Sequence, residues 1–86
     1  MESAFVEMLG YCAGGLTTAA FLPQVVQTWR SRSVRDISLP MYAIFAAGIA
    51  AWLVYGVLVG SWPVVVANAA TLVLALAMIW MKLKLR

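Results

Sequence analysis

Two stretches of this chain, residues 8–29 and residues 37–81, carry no charged side chain. A helix that spans a bilayer needs roughly 20 mostly apolar residues. The pattern therefore predicts three spans, at about 5–29, 41–60 and 63–81. Between the second and third lies Gly60-Ser61-Trp62-Pro63, a turn signal short enough for a tight hairpin. Pro63 suits the first turn of the third helix, where its missing N–H would have no intrahelical partner. The expected fold is an all-α integral membrane bundle of three transmembrane helices, in one domain over residues 1–86.

Composition agrees. Hydrophobic residues make up 65% of the chain and charged residues 10%, against about 25% charged in soluble domains. The net charge is +3, yet all six cations flank apolar spans. That is a topology signal and not a phosphate-tracking patch, so no nucleic-acid partner is expected. Arg30, Arg32 and Arg35 follow the first span, and Lys82, Lys84 and Arg86 follow the third. With three spans, both basic segments fall on one side. The positive-inside rule makes that side cytoplasmic, with the N-terminus outside, in a multi-pass protein of the cell (inner) membrane. The N-terminus carries Glu2 and Glu7 and no cation before Arg30, unlike a secretory signal. Glu7 and Asp36 read as interfacial. Trp29, Trp62 and Trp80 fall at span ends, where indole rings favour the water–lipid boundary. Cys12 is alone and cannot form an internal disulfide. There is no nucleotide-binding glycine loop, metal cluster or nucleophile–base pair, so neither enzyme activity nor a cofactor or metal is expected.

Three helices, each about 10 Å across, leave no channel between them, so a solute path needs a second copy. Both copies must keep their cations on one side, which predicts a parallel homodimer with its axis along the membrane normal. Gly10-x-x-x-Gly14 offers a close-packing surface, either for that dimer or within one protomer. Pro23 interrupts the hydrogen bonding of the first span roughly 9 Å from its inner end, with the neutral polar Gln24 beside it. Trp52 lies roughly 18 Å beyond Pro40, far from either interface. Asn68 lies roughly 7–8 Å beyond Pro63, deep enough that its carboxamide should face a neighbour or a cavity.

Taken in order, Pro23-Gln24, a basic loop ending Arg35-Asp36-Ile37-Ser38, Met41-Tyr42, Trp52-Leu53-Val54-Tyr55-Gly56 and Asn68 resemble a bacterial SemiSWEET. These are three-helix half-transporters of the SWEET and PQ-loop group, and the resemblance covers nearly the whole chain. It implies a parallel homodimer of six helices around a central path, moving a mono- or disaccharide by alternating access. It further implies a sugar site on the dimer axis lined by Trp52 and Asn68, and a hinge at Pro23 and Gln24. The residue types suit a sugar: indole faces for its C–H surfaces, and neutral donors and acceptors for its hydroxyls. Thr17, Thr18 and Phe21 of the first span and Thr71, one turn from Asn68, are candidates for the same lining. Met41 and Tyr42 are candidates for the inner gate opposite Pro23. Tyr55, with Val59, continues the Trp52 face and is an outer-gate candidate together with Trp62. Some relatives close that gate with an arginine and an aspartate, whereas this chain has Val59 and Ser61, so an aromatic gate is expected. No ionisable group lies deep in any span, which predicts uniport without ion coupling. The rival expectations are a non-transporting subunit that packs on a larger partner through Gly10, Gly14 and Asn68, and a PQ-loop carrier of another small solute such as an amino acid.

Overall fold

The computed structural model describes residues 4–86; Glu2 lies outside them. Among the described residues there are three helices and no strand: α1 (Ala4–Ser31), α2 (Leu39–Val59) and α3 (Trp62–Leu85). All three are long and apolar enough to cross a membrane.

The junctions follow from local chemistry. α1 runs unbroken through Pro23 and stops where Arg32 takes a left-handed φ of 60°. The Arg32 N–H closes the helix end on the Thr28 carbonyl at 2.9 Å, a one-bond form of C-terminal cap. Ser38 starts α2, its hydroxyl accepting from the Met41 N–H at 3.2 Å, and Pro40 occupies the first turn. Gly60 ends α2 with φ 71°. The Ser61 N–H then reaches the Gly56 carbonyl at 2.9 Å and the Gly60 N–H reaches Val57 at 3.3 Å. That paired closure needs a left-handed residue, which glycine supplies without a Cβ clash. Pro63 opens α3 in its first turn.

α3 lies between α1 and α2, packing its backbone against both, while the backbones of α1 and α2 stay apart. Small residues permit this. A Cβ on Gly10 would stand 2.9 Å from Pro63 Cβ, one on Gly14 would stand 2.5 Å from Ala67 Cβ, and one on Gly56 would stand 2.9 Å from Val64 Cγ1. The Gly10-x-x-x-Gly14 surface is thus used inside the protomer, against α3, and is not free for a second chain. The tightest core sits at the basic end, where Val34, Tyr42, Met78 and Met81 are buried among Phe21, Val25, Ile37, Ile79 and Leu85. Most other large apolar side chains are exposed, as lipid-facing or partner-facing residues must be.

Candidate functional site

Because α3 holds α1 and α2 apart, one face of the protomer is concave. A cavity of about 430 Å³ lies there, lined by Thr17, Phe21, Phe45, Gly48, Ile49, Trp52, Asn68 and Thr71. All three helices contribute, and no lining side chain is charged. Trp52 is 57% exposed within the single chain, so much of its surface is left for a partner. Tyr55 stands edge-on to it, ring centroids 5.3 Å apart.

The polar lining is held by its own backbone. Asn68 Nδ2 donates to the Val64 carbonyl at 2.9 Å, one turn back on α3. That bond ties the carboxamide to its own helix. Thr17 Oγ1 donates to Gly14 at 3.1 Å, and Thr71 Oγ1 donates to Ala67 at 2.8 Å. Thr71 also meets Thr18 Oγ1 at 3.0 Å, a hydroxyl pair that ties α1 to α3 beside the cavity. A hydroxyl has one proton and two acceptor positions, so these threonines offer a solute mostly acceptors.

A second cleft of about 400 Å³ runs from this cavity toward the Gly60–Ser61 turn. The two share Thr17, Asn68 and Thr71 in their linings. Glu7, Gly10, Ser61 and Pro63 line its mouth. Glu7 therefore faces the cleft, where the apolar pattern pointed only to an interfacial position.

Toward the basic end the cavity is bounded by rings. Phe21 stacks on Tyr42 at 6.1 Å and meets Phe45 edge-on at 5.9 Å, and Tyr42 meets Phe45 at 6.1 Å. The Tyr42 hydroxyl donates to Gln24 Oε1 at 3.0 Å. These side chains bridge α1 and α2, whose backbones stay apart. Pro23, whose missing N–H leaves the Ala19 carbonyl without its helical donor, directly precedes Gln24 in this bridge. Met41 contributes its backbone N–H to the Ser38 cap, and its side chain is half exposed. Trp62 lines neither the cavity nor the cleft. Phe45 escaped the sequence reading: within an apolar run, an aromatic carries no mark of which neighbour it will meet. Among the described residues no cluster of His, Cys, Asp or Glu has metal-binding geometry.

The chain resembles known proteins over nearly its whole length. The PQ loop repeat family matches residues 5–65. A protein of Bradyrhizobium diazoefficiens named sugar transporter SemiSWEET is 39% identical over 98% of both chains. One of the same name from Leptospira biflexa serovar Patoc is 41% identical, covering 88% of this chain and 89% of that one. The crystal structure of a bacterial homologue of SWEET transporters matches at a TM-score of 0.88, with 39% identity over 93% of this chain and 96% of that one. A SemiSWEET crystallised in the inward-open conformation matches at 0.86, with 35% identity over 92% of each.

Proposed function

The chain belongs to the SemiSWEET family of PQ-loop membrane proteins, and on that premise we propose that it carries a mono- or disaccharide across the cell membrane by alternating access. The observation that supports this reading most directly is the uncharged cavity lined by one indole, one carboxamide and two threonine hydroxyls. A sugar ring has apolar C–H faces and a rim of hydroxyls, and this lining offers a partner to each. One copy leaves the cavity open along its concave face. A second copy, related by a two-fold axis along the membrane normal, closes it and doubles the set to two Trp52 and two Asn68.

Alternating access maps onto the two ends. In this reading, a cleft toward the Gly60–Ser61 turn together with rings at the basic end corresponds to the outward-facing half of the cycle. The basic end is cytoplasmic on the positive-inside rule, with the N-terminus outside. Separation of Phe21 from Phe45 and of Gln24 from Tyr42 opens the inner side. Pro23 is the hinge that lets the inner third of α1 swing. Tyr55, seated on Trp52, is the candidate for closing the outer side; Trp62, outside the cleft, is less well placed. No ionisable group lines the central cavity, which favours uniport. It also disfavours a zwitterionic amino acid as cargo, because neither charged end would find a counter-charge. The rival role as a packing subunit loses its main surface, since Gly10 and Gly14 are already against α3.

The test is uptake of labelled glucose and sucrose into liposomes holding the purified protein, with and without a pH gradient. Saturable uptake that equilibrates and ignores the gradient is expected. A folded dimer that takes up neither sugar would defeat the proposal.

A further inference from the structure

The basic end holds six cations and, apart from Asp36, no side-chain carboxylate. Among the described residues none of the six is ion-paired, and two of them are fixed in place. The Arg32 guanidinium lies 4.0 Å from the centre of the Trp29 ring, held there by the left-handed backbone that ends α1. A stacked guanidinium uses its face and keeps its N–H edges free. Trp29 in turn stands 6.4 Å from Trp80, which brings the end of α3 to the end of α1. Two residues beyond Trp80, Lys82 Nζ donates to the Val34 carbonyl at 2.9 Å. An ammonium has three donors, so two remain. Two cations with unused donors thus flank Ser33, next to a pair of half-exposed indoles.

A separate feature points to the same occupant. On the convex side, a groove of about 330 Å³ runs between α1 and α3, walled by Gly14, Gly15, Thr18, Ala19, Leu22 and Leu74. A Cβ on Gly15 would meet nothing within 4 Å. Leu22 leads through Val26 to Trp29 along one helix face, two turns and roughly 10 Å. An apolar trough therefore runs toward a cationic, indole-flanked head.

We infer that Arg32, Lys82, Trp29 and Trp80 form a binding site for the headgroup of an anionic phospholipid, one acyl chain of which lies in the α1–α3 groove. The phosphodiester accepts from the guanidinium edge and the free ammonium protons, and the indoles sit at glycerol depth, where Trp is at home. Basic residues beside a span attract anionic lipid by about 1 kcal/mol each, or about fivefold in affinity. Here two of them are held ready by contacts within the protein.

The test is lipid retention by native mass spectrometry, with thermal unfolding in detergent, after addition of dioleoyl phosphatidylglycerol or dioleoyl phosphatidylcholine. The acyl chains are identical and only the headgroup differs. The phosphatidylglycerol is expected to be retained more strongly and to raise the unfolding temperature further. Arg32→Gln should lower its retention about fivefold. Lys84→Gln with Arg86→Gln, which removes two charges from the same end but leaves the pinned pair, should lower it less. Gly15→Leu, which fills the groove and touches no cation, should weaken retention of both lipids, and it keeps the test decisive if Arg32→Gln fails to fold. Glycerol 3-phosphate alone should not protect. Equal retention of the two lipids, a larger loss from Lys84 and Arg86 than from Arg32, undiminished retention in Gly15→Leu, or protection by glycerol 3-phosphate would each overturn the site.

Discussion

Trp52 and Asn68 show how little separates a packing residue from a binding residue in a membrane helix. Each side chain meets a neighbour on its own helix: Asn68 donates to the α3 backbone, and the Trp52 ring lies against Tyr55. Neither reaches across to hold another helix, so truncation should spare the fold. Trp52→Ala and Asn68→Ala are expected to abolish sugar uptake while size-exclusion still reports the folded dimer; loss of the dimer would instead make them packing residues. Glu7 is a different case. It lies at the mouth of the outer cleft, and no Lys or Arg precedes Arg30 in the chain. An exposed unit charge at about 4 Å is worth about 1 kcal/mol in water, or about fivefold. Glu7→Gln should therefore raise uptake of an acidic sugar such as glucuronate relative to glucose by up to about that factor, measured by competition in liposomes.

At the scale of the helices, the three spans were legible because charge is absent over long runs and lipid tolerates little else. Helix ends were legible too, from Pro40, Gly60 and Pro63. The pairing of helices was not. Gly10 and Gly14 mark a close approach, but a helix face does not name its neighbour, and only the fold shows that Pro63 and Ala67 fill it. Phe45 was hidden for the same reason: its contacts with Phe21 and Tyr42 exist only after α1 and α2 have been placed. Trp52, Asn68, Thr17 and Thr71 stood out because a polar or indole group deep in a span needs a reason, and the structure lines one cavity with them. Two substitutions test the element scale. Gly14→Ala should overpack α1 against α3 and destabilise the bundle by about 1–3 kcal/mol, whereas Gly15→Ala, facing open groove, should be neutral or gain up to about 1 kcal/mol from helix propensity; thermal unfolding in detergent decides. Pro23→Ala restores the missing donor and would stiffen α1 at the proposed hinge. Turnover should fall by about tenfold, equivalent to about 1.4 kcal/mol on the barrier, with sugar binding by tryptophan fluorescence little changed.

For the whole molecule, the proposed orientation rests on the charges and the proposed pairing with a second copy rests on the open cavity face. All six cations gather at one end of the bundle. Replacing Arg30, Arg32 and Arg35 with Gln while adding Ser61→Lys should produce a mixed population of orientations, read by labelling of cysteines placed at either end with an impermeant maleimide. A single orientation unchanged by this swap would mean that something other than loop charge sets topology.

The position of α3 between its two predecessors also bears on how the protein is made. When α1 and α2 have left the ribosome, neither has a backbone neighbour, because the helix that each packs against has not yet been synthesised. The glycine notches at Gly10, Gly14 and Gly56 stay empty through most of translation and are filled together once residues 63–67 arrive. Backbone packing is thus completed late, and a message truncated between Val59 and Trp62 leaves α1 and α2 joined only by side chains such as the Phe21–Tyr42–Phe45 rings and the Tyr42–Gln24 bond.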